Sequence, residues 1–197
     1  MVERLYTANL TGNPFLLFET REVAKGMLKK LHKDEALKEI LDSNLFQYKN
    51  AKSILKRFNA IYKRLGKLND DLLVKLAEGT IQEAKITNLF VIVRADRLFR
   101  EFFIEVVAER IKEPAHKLRE RDLRYYFEQK RETVSEVQKW MDKTIKKLYQ
   151  VYIQILYQSG IIENRKNLAL RKFFVNDEFK KALFSSFPQE WIECITV

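Results

Sequence analysis

Glycine and proline are scarce, at five and three of 197 residues. That excludes the turn-dense architecture of a β-sandwich or barrel and favours long helices. Gly12, Gly26, Gly66, Gly79 and Gly160 stand isolated, so no glycine-rich phosphate loop exists. Cysteine is represented only by Cys194, which rules out an internal disulfide and gives no sign of an oxidising compartment. His32 and His116 are the only histidines. Neither sits in a Ser, Cys or carboxylate pattern that would define a nucleophile or metal site, so the expectation is no enzyme, no cofactor and no metal. Long apolar runs are missing too. The longest uncharged stretch, Leu148 to Ile162, is interrupted by Gln150, Gln154 and Gln158, and the N-terminus has no apolar leader core. The chain reads as soluble and cytoplasmic, with no membrane partner.

The most telling absence is of acid. Between Asp42 and Asp70 there is no Asp or Glu, while Lys49, Lys52, Lys56, Arg57, Lys63, Arg64 and Lys67 all fall there. Ala51, Ile54, Leu55, Phe58, Ile61, Tyr62 and Leu65 recur at helical spacing through the same stretch. The cations therefore belong to a folded amphipathic helix. Lys52, Lys56, Asn59 and Lys63 form a row turned away from the apolar stripe, flanked by Arg57 and Arg64. Like charges so arranged repel by a few tenths of a kcal/mol per pair, and a phosphate backbone would relieve them. Whole-chain charge agrees, at +10 with a pI near 9.6. A second acid-poor stretch, 143 to 176, sets Lys143, Lys146, Lys147, Arg165, Lys166, Arg171 and Lys172 against Glu163 alone.

Residues 1–14 form an arm without helical period, in which Arg4 and Tyr6 are candidates to reach a groove or to pack on the chain itself. A helical bundle over 15–113 follows, with helices expected at Glu19 to Leu31 and from Asp34 to Asp42. Asn50 caps the basic helix, Asn69 or Asp70 a short one, and Thr80 with Glu83 forms a capping box before the central core helix. Asp96 opens a helix whose Leu98, Phe99, Phe102, Phe103, Val106, Val107 and Ile111 face inward, and Pro114 ends it. Its Glu101, Glu105 and Glu109 read as ion-pairing residues among Arg97, Arg100 and Arg110.

Residues 114–197 form a C-terminal portion with a helix over Leu118 to Gln129, then a long helix from the Thr133–Glu136 box to Tyr157, stopped by Gly160. Ile161 to Val175 is expected to be a short β-hairpin, followed by a helix over Asp177 to Phe184. That order suggests a winged helix, with Lys139, Lys143, Lys146 and Lys147 near a groove and Arg165 and Lys166 at the wing tip. Most aromatics fall at core spacing. Tyr48, beside Lys49, is the candidate to stack on an unpaired base.

Tyr6-Thr7-Ala8-Asn9-Leu10-Thr11, Glu19-Thr20-Arg21-Glu22-Val23-Ala24, Asn44-Leu45-Phe46-Gln47, Arg64-Leu65 and the apolar-glutamine helix running into Ser159-Gly160-Ile161-Ile162 occur in this order along the chain. In these elements it resembles the BrxA family of BREX phage-defence systems. The resemblance implies a small helical protein of a multi-gene defence island, with a core similar to the antitermination factor NusB and a capacity to bind DNA. The family has at times been labelled an inner-membrane protein, which the hydropathy here contradicts.

The expectation is thus an all-α protein, with an N-terminal bundle and a winged-helix-like C-terminal portion carrying a short hairpin. It would bind double-stranded DNA without catalysis, mainly through phosphates, with Lys49, Lys52, Lys56, Arg57, Lys63, Arg64, Lys67, Lys143, Lys146, Lys147, Arg165 and Lys166 as contacts. Other BREX subunits are possible partners. The alternatives are a protein-interaction scaffold docking on an acidic subunit, or an RNA-binding protein, as the NusB likeness implies.

Overall fold

A computed structural model describes residues 5–197, so Arg4 lies outside the described residues. The chain is mostly helical, with one small antiparallel hairpin near its C-terminus. A 3₁₀ turn (Asn9–Thr11) precedes α1 (Leu17–Leu28), α2 (Lys33–Asp42), α3 (Ala51–Leu65), α4 (Asp70–Ala77) and α5 (Ile81–Ala95). Next come α6 (Arg97–Phe102), a π turn (Phe103–Val107) and α7 (Ala108–Lys112). The C-terminal part holds α8 (Glu120–Thr133), α9 (Ser135–Gln138), α10 (Asp142–Ser159), β1 (Ile162–Asn164), β2 (Ala169–Leu170), α11 (Asp177–Phe184) and α12 (Gln189–Glu193).

Several ends obey the local chemistry read from the sequence. Asn50 accepts from the Lys52 amide at the start of α3, Asn69 from Leu72 at α4, and Thr80 and Glu83 close their box at α5. Gly160 ends α10 at φ 90°, where a β-carbon would be strained. Helix α5 is buried all round from Ile86 to Val93 and forms the central rod of the bundle.

Other expectations give way. Thr133 does not open a helix; it is the last residue of α8, and its hydroxyl donates back to the Gln129 carbonyl. The long helix expected from there is divided, because the chain turns at Lys139–Met141 before α10 begins. Lys139 therefore lies off the α10 face that carries Lys143 and Lys146. The hairpin is shorter than expected. Ile162 pairs with Leu170 and Asn164 with Ala169, but the Phe173 amide donates to Ile195, so the chain end claims the rest of the second strand. The loop before α8 joins the hairpin instead: Leu118 N donates to Leu168 O, and Leu170 N to His116 O.

One hydrophobic cluster runs from Leu10 to Ile195. Tyr152 of α10 is wholly buried, with its ring 4.8 Å from Phe99, 5.3 Å from Phe102 and 5.4 Å from Phe127. Such edge-on and tilted ring contacts each contribute about 1 kcal/mol beyond area burial. This aromatic knot holds α10 and α8 against α6.

Candidate nucleic-acid interface

The α3 stripe of Ile54, Phe58, Ile61 and Leu65 is buried, which turns the opposite face outward. Lys49, Lys52, Lys56, Lys63 and Lys67 are exposed, and none has an ion-pair partner among the described residues. Lys56, Lys63 and Lys67 line a cavity of about 320 Å³ beside the arm, shared with Asn13 and Asp96. Lys56 reaches over the arm's turn, its Nζ 3.7 Å from the point where Gly12 would carry a Cβ.

The two arginines of this block are engaged within the fold. Arg64 donates to the Asn13 carbonyl at 2.6 Å and the Pro14 carbonyl at 3.2 Å, pinning the arm to α3. Burial pulls its pKa down to about 10, with the charge of Asp96 opposing. Burial likewise pushes Asp96 up to about 6, although its carboxylate caps α6 through the Phe99 amide and Arg64 is near. Arg57 lies 4.4 Å over the Tyr48 ring, whose hydroxyl donates to Glu19. The face Tyr48 would offer a base is thereby covered by Arg57. Tyr6 packs on its own chain, donating to Glu101 at 2.9 Å beneath Arg97.

Three residues of the second basic group, Lys146, Arg165 and Lys166, border a channel. Lys143, Lys146 and Lys147 are exposed on the first turns of α10, and Arg165 and Lys166 on the hairpin turn. Lys146 borders a groove of about 810 Å³ between α8 and α10, whose floor includes Phe127, Ile145 and Tyr149. Arg165 and Lys166 border a second hollow of about 470 Å³, and the two share Arg119, Glu120, Tyr149 and Gln150. Lys143 and Lys147 border neither.

The channel contains cations that a search for acid-poor stretches passes over: Lys117, Arg119, Arg121, Arg124 and Arg131. In sequence they alternate with Glu120, Asp122 and Glu128, which hides the excess. In the fold Asp122 turns inward, accepting from Arg110 at 2.8 and 3.0 Å and from the Arg119 amide at 2.8 Å. The seven-residue spacing of Arg124 and Arg131, two turns of one helix, is the signal that was available.

Between α6 and α8 several carboxylates pair with cations. Burial alone would raise Glu101, but hydrogen bonds from Lys130, Arg97 and Tyr6 leave its pKa below the usual range. Lys130 also reaches Glu105, and Lys112 reaches Glu109. Among the described residues no cluster of His, Cys, Asp and Glu could hold a metal, and no helix is long and apolar enough to cross a membrane. Burial pushes the Cys194 thiol up to about 12, so it stays a neutral hydrogen-bonding group on the Trp191 carbonyl.

The family model BrxA matches residues 4–186. The chain belongs to the BrxA family. A relative in Bacillus cereus (strain H3081.97), named BREX protein BrxA, is 30% identical over 164 residues, covering 83% of this chain and 82% of its own length. Another protein of that name, in Paramagnetospirillum magneticum (strain ATCC 700264 / AMB-1), is 24% identical and covers 100% of this chain and 99% of its own. A crystal structure of an uncharacterized protein from Magnetospirillum magneticum shares the fold at TM-score 0.81 and 23% identity, covering 97% of this chain and 98% of that one. BrxA membership thus extends over nearly all of the helical fold described above.

Proposed function

We propose that this BrxA-family chain is a non-enzymatic double-stranded DNA-binding accessory protein of a BREX phage-defence system, acting in the cytoplasm alongside other BREX subunits. The observation that carries this reading is the row of exposed, unpaired lysines on α3. Some surface cations find carboxylates, as Lys25, Lys29 and Lys112 do. Others, such as Lys30, Lys38, Lys172 and Lys181, do not among the described residues, and what sets α3 apart is that its cations line one helix face in a stretch without acid. Among the described residues Lys52, Lys56 and Lys63 have no ion-pair partner. They stand on a helix whose other face is locked in the core, so their spacing is kept without a ligand. A duplex phosphate backbone supplies the missing anions, and each lysine that meets a phosphate releases condensed counterions.

Lys49 and Lys67 extend the row at the two ends of α3. Arg57 and Arg64 contribute field and rigidity rather than free donors. Lys143, Lys146, Lys147, Arg165 and Lys166 form a second contact group in a winged-helix-like arrangement of α10 and the hairpin. Contacts of this kind are to the backbone, so little sequence preference is expected.

Titration of fluorescent duplex DNA at several salt concentrations tests the reading. Six or more phosphate contacts imply a loss of roughly a thousandfold in affinity between 50 and 200 mM salt. Binding that is absent, or flat with salt, would refute it.

A further inference from the structure

We infer that the channel between α8, α10 and the hairpin is also a site for single-stranded nucleic acid, so that Lys146, Arg165 and Lys166, which belong to the duplex contact group, serve a single strand where they border the trough. The inference draws on the nucleic-acid reading for the class of partner. It does not depend on the duplex face of α3.

Its first support is shape. The two hollows meet at Arg119, Glu120, Tyr149 and Gln150, so they form one trough rather than a convex face. A duplex meets protein over a broad surface, with helices or strands entering its grooves. A trough floored by Phe127, Ile145 and Tyr149 suits a single strand, whose bases can leave water and lie on apolar and aromatic surface.

Charge is the second support. Arg121, Arg124 and Lys146 border one end, Lys117, Arg165 and Lys166 the other, and Arg119 the junction. None of these seven has an ion-pair partner among the described residues, while Arg131 is paired with Asp142 at 2.7 Å. The free carboxylates along the trough are Glu120 and Glu128. Cations on both rims over an apolar floor are the arrangement that tracks a phosphodiester backbone while bases stack beneath it.

Placement of the aromatic is the third. Tyr149 is half-buried at the junction, and its hydroxyl lies in the field of Glu120 and Arg124. A base stacked there would have cations on either side of its phosphate. The bridge between Lys117 and Ala169 fixes the pre-α8 loop to the hairpin, so the far rim is built in advance of any ligand.

The test uses the full chain and fluorescent oligothymidylate of ~12 nucleotides, within the site size of such grooves. Binding should appear, and Tyr149→Leu, which keeps apolar bulk and removes the ring, should weaken it roughly five- to 150-fold. Tyr149→Leu must melt as a folded protein. Arg121→Gln with Arg124→Gln, both on exposed positions, serves as the second variant and should lower the salt slope by about 1.4. Lys52→Gln, Lys56→Gln and Lys63→Gln together should leave oligothymidylate binding within about twofold, since α3 lies outside the channel. An oligouridylate arm identifies the sugar: tighter binding of either strand still supports the channel. Duplex binding that fails while oligothymidylate binds would remove the α3 reading and leave this one standing. The inference is overturned by no binding of either oligonucleotide, or by binding indifferent to both channel variants. Displacement by poly-glutamate as effective as by unlabelled oligonucleotide would also overturn it, marking the trough as a seat for acidic polypeptide.

Discussion

Cations crowd both the α3 face and the α6–α8 face, and the two treat them in opposite ways. Along α6 and α8, Arg97 meets Glu101, Lys130 meets Glu101 and Glu105, and Arg110 meets Glu113 and Asp122. Along α3 the exposed lysines have no ion-pair partner among the described residues. The first face holds the fold together; the second is kept electrostatically incomplete. A cation's role is thus decided by the carboxylates that the fold brings to it, and local sequence composition is a poor guide to that.

The contrast can be broken most sharply at Asp122. Its side chain is only 5% exposed and accepts three hydrogen bonds, two from Arg110 and one at the start of α8. Asp122→Ala removes both bonds from Arg110, which keeps Glu113, together with the capping bond at α8, and should cost about 2 kcal/mol in chemical unfolding. A loss under ~0.5 kcal/mol would mean the paired face is as dispensable as the unpaired one.

Asp96 tests the one carboxylate that the α3 block does meet. Its pKa is raised from 3.8 to about 6, so the folded state holds its proton where the unfolded state has released it. That contribution to stability is complete below the unfolded value and is lost as pH rises through 6. Asp96→Asn keeps a side-chain oxygen for the Phe99 cap and cannot ionise. Relative to the unmodified chain it should therefore gain stability between pH 4 and 7, by up to ~3 kcal/mol. A difference that stays flat across that range would place the Asp96 titration elsewhere.

Lys52→Gln, Lys56→Gln and Lys63→Gln together should change stability by no more than about 0.5 kcal/mol per site, since no partner is lost. Duplex binding should instead lose about three from its salt slope. An unfolded triple variant would contradict the face assignment. Smallest in its effect on the fold should be the replacement of Lys143, Lys146, Lys147, Arg165 and Lys166, all exposed, by Gln. Duplex affinity should fall similarly on unrelated sequences, and an unchanged slope would confine duplex contact to α3.

What could be read from the sequence follows the range of the interaction. Asn50, Thr80 with Glu83, Asp96 and Gly160 act within one helical turn, and each sits where its spacing predicts. The direction of the Lys52, Lys56 and Lys63 row follows from periodicity alone. Arg64 was misplaced on the free flank because its acceptors, the Asn13 and Pro14 carbonyls, lie fifty residues away. The Thr133 box failed because a hydroxyl at a helix end can as easily bond backward, here to Gln129. The arginines of the channel were missed because Asp122 cancels them on paper and turns inward in space.

The arm has a consequence for the order in which the chain is made. Tyr6 binds Glu101, and Lys130 completes that site; the 3₁₀ turn at Asn9–Thr11 lies against α10. Its residues are synthesised early, yet their seat is assembled from segments that emerge much later. At ordinary elongation rates Tyr6 waits roughly 6 to 25 s for Lys130 to be made. Until then Leu10 and Phe15, both buried in the finished protein, have no complete site to enter. The strap that closes the fold is thus the part a ribosome-bound chain exposes longest.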